Sequence, residues 1–190
     1  MRKVTSLLII LLTTTSSLLC QQTATNLILD IKLPSSVSVK GTSTLHDWES
    51  KVEKTNATIN INNLDEVAIE TIDVKIEATS LKSGKRTMDK ITYKALKAEE
   101  HPLISFIFKK GEIISENTDF INITLHGDLT IAGVTKNVSV LTRINKLGDT
   151  ITLIGKYKLK MTDYGIKPPT ALLGTIKTGD EITIEFNLKF

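Results

Sequence analysis

The residues equipped for chemistry are few and far apart. His46 and Asp47 are neighbours, and an imidazole beside a carboxylate is half of an acid-base pair. Adjacent side chains on an extended segment point to opposite faces, however, so neither orients the other. His46-Asp47-Trp48 is therefore read as a turn or strand-end cluster that closes one end of the fold. Trp48, the only tryptophan, either stacks on a ligand or plugs that end. His101 precedes Pro102 at the end of a helical pattern, where a donor or cation suits the free carbonyls. His126 falls on the polar phase of a strand, solvated or paired across to a neighbour. Three separated histidines without carboxylates at ligand spacing predict no metal site, and no cofactor is expected. Neither a serine nucleophile elbow nor a phosphate-cradling glycine loop is present. Lys156, Lys158 and Lys160 form a basic row on one strand face, read as a solvated outer face or a guarded edge. Its functional counterpart is transient contact with anionic lipid headgroups. Asp163, Tyr164 and Pro168-Pro169 stand in a glycine- and proline-rich segment that predicts a long loop, a candidate lid.

The elements that position these residues are mostly strands. The stretch GDLTIAGVTKNV, Gly127 to Val138, is the clearest. Before and into it, Ile121, Ile123, Leu125, Leu129 and Ile131 alternate with polar residues; after it, Val138 and Val140 do the same. Ala132-Gly133 supplies the reversal between two antiparallel strands. Upstream, Leu27, Leu29, Ile31 and Leu33 alternate, Pro34-Ser35-Ser36 reads as a turn, and the phase resumes at Val37 and Val39. Ile59 and Ile61, a turn at Asn62-Asn63, then Ile72, Val74 and Ile76 predict two more strands. Between Ser83 and Glu100 the apolar step changes to three or four at Met88, Ile91, Ala95 and Leu96, which predicts the single helix, ended by His101-Pro102. Ile104, Phe106 and Phe108 restart the strand period, with Lys109-Lys110-Gly111 as a turn. Ile151 to Met161 and Ile182 to Phe190 are the last two strands. About eight antiparallel strands with one short helix define an all-β protein, and eight is the number that closes into a small barrel with room for one elongated ligand.

Composition narrows the function. The chain has 190 residues, 41% hydrophobic and 24% charged, as expected of one globular domain. Residues 1–20, with Arg2 and Lys3 ahead of an apolar run from Leu7 to Leu12, have the form of a secretory signal too short to span a membrane. Cys20, the only cysteine, ends it; the bulky Leu19 before it favours cleavage over lipidation. The remaining chain, 21–190, then carries 22 basic against 21 acidic residues, with no basic stripe, which excludes a nucleic-acid partner. It also has no thiol and no disulfide.

Four segments together resemble the YceI family of periplasmic or secreted, lipocalin-like barrels associated with binding polyisoprenoid lipids. They are GTSTLHDW from Gly41, KRTMDKITYKALKAEEHPLISF from Lys85, GDLTIAGVTK from Gly127, and MTDYGIKPPTALLGTIKTGDEITIEF from Met161. Asn137 departs from the proline common in that family. The resemblance implies a barrel over 21–190 that encloses a long isoprenoid, quinone or acyl chain, with the helix by its mouth, in the periplasm or outside the cell. The expected lining is Ile72, Val74, Ile76, Phe106, Phe108, Ile123, Leu125, Val138, Val140, Tyr157, Leu159, Ile184 and Phe186, with Trp48 at the end. The expected role is non-enzymatic carriage or sequestration. Alternatives are an outer-membrane barrel, opposed by only 5% aromatic residues, and an enzyme on an apolar substrate, opposed by inward phases nearly free of titratable groups. Pairing of two copies through an exposed strand or patch is compatible with the first role.

Overall fold

The computed structural model describes residues 27–62 and 68–190, so the expected leader with Cys20, and part of the Asn62-Asn63 turn, lie outside the described residues. The strands are β1 (Leu27–Asp30), β2 (Lys32–Ser43), β3 (Trp48–Val52), β4 (Thr55–Ile61), β5 (Ile69–Glu77), β6 (Leu81–Lys82), β7 (Leu103–Glu116), β8 (Phe120–Ile131), β9 (Val134–Leu147), β10 (Thr150–Lys160), β11 (Thr170–Ala171) and β12 (Ile176–Lys189). One α-helix, α1 (Arg86–Ala95), follows β6.

Neighbouring strands pair antiparallel in the order β5, β7, β8, β9, β10, β12. β12 then pairs with β2, β2 with β3, β1 with β4, and β4 returns to β5. Only Ile31 separates β1 from β2, and its N–H donates to the Ala57 carbonyl at 2.9 Å. β1–β2 and β3–β4 are thus two long, briefly interrupted strands paired with each other, and the ladder closes on itself. Counted this way the ring has eight long strands. Closure satisfies the backbone groups that an open edge would leave to solvent, and alternation along each strand turns one row of side chains inward.

Those inward rows are apolar. At one end Ile59, Ile61, Ile144, Ile151, Leu153 and Phe190 are completely or almost completely buried and seal the base. A second apolar cluster, including Leu96, Leu129, Ile131, Val138, Leu159, Met161 and Tyr164, lies toward the other end, beneath α1. The helix turns Met88, Ile91 and Ala95 toward the barrel and leaves Arg86, Lys90 and Lys94 exposed. The hairpin at Ala132-Gly133 has positive φ at both residues, 48° and 79°, with Ile131 paired to Val134. That is the two-residue geometry whose twist suits antiparallel strands.

Four local expectations are corrected. Pro34-Ser35-Ser36 lies within β2 and does not reverse the chain; the register against β12 shifts there, between Lys32, paired to Lys189, and Ser36, paired to Asn187. Lys109-Lys110-Gly111 does not reverse the chain; β7 runs on to Glu116 with a register shift between Phe108 and Lys110. Gly111 is needed for space, since a Cβ there would stand 2.6 Å from Ile123 Cδ1. The reversal comes at Asn117, whose Oδ1 accepts the Asp119 and Phe120 N–H groups at 2.9 and 3.0 Å. The helix is shorter than Ser83 to Glu100, because Lys97 takes φ 52° and the chain turns before His101. The segment expected as one long loop contains 3₁₀ turns at Met161–Tyr164 and Leu172–Gly174, the short β11, and the start of β12. Its base is fixed by Asp180, which accepts the Thr162 N–H at 2.9 Å and hydroxyl at 2.6 Å. These bonds hold the Asp180 carboxyl below its usual range.

Gly127 is where this packing is least forgiving, because a Cβ there would lie 2.5 Å from the Ile107 carbonyl oxygen and 2.6 Å from Phe106 Cζ. Gly127→Ala is expected to cost about 1–3 kcal/mol, the range for forced overpacking. Urea denaturation checks this, and an unchanged midpoint would show that the wall yields freely.

Candidate functional site

Two cavities lie in line inside the ring. The larger, about 450 Å³, opens at the end covered by α1. Its wall combines Val39, Trp48, Leu81, Ile131, Leu159, Ile182 and Ile184 from the strands with Met88, Ile91, Thr92, Ala95 and Leu96 from the helix region. Ser43, Leu45, His46, Lys85, Pro169, Thr170 and Ala171 also border it. The smaller, about 110 Å³, lies toward the sealed base, among Val37, Ile72, Val74, Ile76, Phe106, Leu125, Leu129, Val140, Leu153, Tyr157, Phe186 and Leu188. Ile104 and Ile184 belong to both walls. Their strands, β7 and β12, are four apart in the ring of eight, so these side chains face each other across the lumen.

Of the residues expected to line the lumen, Trp48, Leu159 and Ile184 border the outer chamber. Ile72, Val74, Ile76, Phe106, Leu125, Val140, Tyr157, Ile184 and Phe186 border the inner one. Phe108, Ile123 and Val138 face inward but border neither: Ile123 and Phe108 belong to the cluster at the base, and Val138 packs in the upper cluster. The expected lining left out the segment after β10, with Met161, Ile166, Pro169, Thr170 and Ala171, and the helix face. The helix's three-to-four-residue apolar step was visible, but periodicity shows that a face is buried and not what it covers.

Three inward aromatic rings rest on glycines of the neighbouring strand. Trp48 covers Gly41, Phe106 covers Gly127 and Phe186 covers Gly155; a Cβ at any of these glycines would collide with the ring. Trp48 is fixed further by its indole N–H, which donates to the Thr42 carbonyl at 3.0 Å.

The histidines do no joint work. His46 is exposed, and its Nδ1 lies 2.6 Å from the Asp47 backbone oxygen, so the Asp47 carboxylate is not its partner. The His101 ring packs over Gly133 in the β8–β9 hairpin. Its backbone N–H, 2.8 Å from the Lys97 carbonyl, closes the turn after the helix. His126 lies on the outer wall between Ser139 Oγ at 2.8 Å and Glu112 at 3.3 Å. Among the described residues, the only ionisable side chains bordering either cavity are His46, Lys85 and Tyr157, and no carboxylate does so. The basic row of β10 is matched by acids on β12. Lys156 meets Glu185 at 2.7 Å, Lys40 meets the same carboxylate at 2.6 Å, and Lys158 lies 3.6 Å from Glu181. Lys156 and Lys40 hold the Glu185 carboxyl below its usual range.

A family comparison settles the relationship, since the YceI-like domain profile matches residues 31–190. The chain belongs to the YceI-like domain family. Solved structures agree on the fold. The crystal structure of BcnA from Burkholderia cenocepacia matches with a TM-score of 0.66 at 20% identity, over 82% of this chain and 96% of that one. The YCEI protein of Campylobacter jejuni matches with a TM-score of 0.61 at 23% identity, over 74% of this chain and 82% of that one. A polyisoprenoid binding domain from Saccharophagus degradans, implicated in plant cell wall breakdown, matches with a TM-score of 0.66 at 10% identity, over 84% of this chain and 95% of that one. No curated protein matches. The YceI-like assignment agrees with the resemblance carried by the four sequence segments, and the antiparallel barrel, with one α-helix among the described residues, is the fold expected from them.

Tyr164 offers a pH probe of this YceI-like interior. It is 2% exposed, and its hydroxyl has no hydrogen-bond partner among the described residues. Burial, with Tyr157 and Asp163 nearby, pushes the phenol up to about 12. An unfolded tyrosine ionises near about 10. Tyr164 therefore lends stability that is complete below that value and is lost as pH rises toward its folded pKa. Tyr164→Phe is expected to keep or raise the urea midpoint at neutral pH, because it removes a buried hydroxyl without a partner, and to flatten the decline between about pH 10 and 12. Unfolding of both proteins across that range checks the difference; parallel curves would place the decline elsewhere.

Proposed function

We propose that this YceI-like barrel binds, carries or sequesters a long-chain apolar lipid of polyisoprenoid, quinone or acyl type, without catalysis, in the periplasm or outside the cell. The observation that carries the reading is the pair of apolar chambers in line, closed at the base and open under α1. A chain entering at the mouth exchanges water for methyl and ring surfaces, at about 0.8 kcal/mol per buried methylene. No charged anchor is then required, and polar groups at the rim, Ser43, His46, Thr87 and Thr170, can face a headgroup. The polyisoprenoid binding domain from Saccharophagus degradans, named for such a ligand, shares the fold. The leader expected over residues 1–20 supports export.

The polarity of the wall argues against a barrel embedded in the outer membrane. Such a barrel is apolar outside and polar within, whereas here the lumen is apolar and the outer rows of β10 and β12 carry Lys156, Lys158, Glu181 and Glu185. Among the described residues, no helix is long and apolar enough to cross a membrane. A lumen bordered by one histidine, one lysine and one tyrosine, without a carboxylate, favours binding over acid-base catalysis.

Native mass spectrometry of residues 21–190, purified without detergent, tests the proposal. A co-purifying isoprenoid or acyl species at near one per chain is expected, and a bare mass that gains nothing when such lipids are added would overturn it. Ile184→Trp, which fills the junction of the two chambers, is expected to weaken binding at least about tenfold, or about 1.4 kcal/mol. A thermal unfolding profile close to that of the parent would attribute the loss to the blocked lumen.

A further inference from the structure

The rim of the outer chamber differs in charge and in exposure from the rest of the molecule. Three segments build it: the turn 42–48, the β6–α1 region 83–95, and the segment 165–178. They contain six basic residues, Lys85, Arg86, Lys90, Lys94, Lys167 and Lys177, against two acidic ones, Asp47 and Asp89. Asp89 is buried and accepts from the Ser83 hydroxyl and N–H at 2.6 and 2.8 Å. The rim thus carries +4, while the remaining 18 basic and 19 acidic residues sum to −1. All six cations are exposed, and among the described residues none reaches a carboxylate. The lysines of β10 are different, since Lys156 and Lys158 face Glu185 and Glu181.

At the same rim stand two leucines in an unfavourable place. Leu172 is 72% exposed and Leu173 fully so, and both have positive φ, 47° and 56°. That region is uncommon for residues other than glycine, asparagine and aspartate. The residues before them, Pro169 to Ala171, and after them, Ile176 and Thr178, border the outer chamber. Leu45, also largely exposed, borders it from the other side. The two sides are stapled together: the Thr44 N–H donates to the Lys177 carbonyl at 3.0 Å, and the Lys177 N–H donates to Thr44 Oγ1 at 3.2 Å.

We propose that this rim docks the barrel, mouth first, on an anionic lipid bilayer, with Leu172 and Leu173 entering the acyl boundary and the six cations resting among the headgroups. The charge chooses the occupant, because unpaired cations ringing exposed leucines complement an acidic surface with an apolar interior. Docked in this way, the outer chamber opens onto the membrane, and a hydrocarbon chain crosses between bilayer and lumen without meeting bulk water. Headgroup contact, the alternative reading of Lys156, Lys158 and Lys160, is thereby assigned to a different face. This inference rests on the carriage reading for its purpose, but its test does not.

Sedimentation of residues 21–190 with vesicles rich in phosphatidylglycerol, compared with pure phosphatidylcholine vesicles, checks it. Preferential binding to the anionic vesicles, weakened by salt, is expected. Leu172→Ser with Leu173→Ser, and separately Lys167→Glu with Lys177→Glu, should each lower partitioning by roughly tenfold or more. Lys156→Gln should leave it unchanged. These are surface positions, and matching thermal unfolding would confirm that the variants fold. Equal partitioning onto neutral vesicles, absence from both, or insensitivity to the leucine pair would each overturn docking. A barrel that retains lipid in free solution yet ignores vesicles overturns docking and leaves carriage standing; an empty barrel that still sediments with anionic vesicles supports docking and overturns carriage.

Discussion

A long strand, β1–β2, that finds a partner along each of its two edges makes the sheet a ring. β2 pairs with β12 and β3, and β1 pairs with β4, so β1–β2 carries the ladder across the gap between the two ends of the sheet. Once the ring is closed, the period of two dictates an inside and an outside along every strand. The apolar rows face a space that eight strands make just wide enough for side chains to fill or for one ligand to share. The base is filled. Toward the mouth the side chains stop short of one another, and α1 covers part of the opening rather than plugging it.

What keeps the upper lumen open is the placement of glycine. Aromatic rings are the largest apolar side chains, and besides Tyr157 three of them point inward at the level of the cavities or the mouth. Each covers a backbone that lacks a Cβ: Trp48 on Gly41, Phe106 on Gly127, Phe186 on Gly155. The rings thereby gain contact with the wall and occupy less of the centre. At the base the opposite choice is made, with β-branched isoleucines from several strands meeting around Phe190.

Much of this was legible in the sequence. Alternation over Ile121 to Ile131 and Ile182 to Phe190 located the strands and their inner faces, and Ala132-Gly133 located a hairpin, because these features depend on local spacing alone. The misread turns share one cause. Pro34-Ser35-Ser36 and Lys109-Lys110-Gly111 have turn composition, yet each is a register shift inside a long strand whose course is kept on either side by partners distant in sequence: β12 for the first, β8 for the second. The Gly111 position answers to Ile123 on the facing strand, which no local window contains. Inward direction could be read for Phe108, Ile123 and Val138, but not whether they meet a cavity or other side chains, because that depends on how far along the barrel axis each one sits. The neutralised lysine row was hidden for the same reason, since Glu185 lies 25 residues or more from Lys156 and Lys40 along the chain.

The two isoleucines shared by the chambers have a mechanical consequence. Ile104 and Ile184 come from strands on opposite sides of the ring, so they form a waist whose width is set by side-chain torsions while the hydrogen-bonded wall stays fixed. A waist of that kind opens by rotamer exchange, far faster than strands can separate. It passes slender, jointed molecules and stops broad, rigid ones, so the depth an occupant reaches becomes a measure of its thickness.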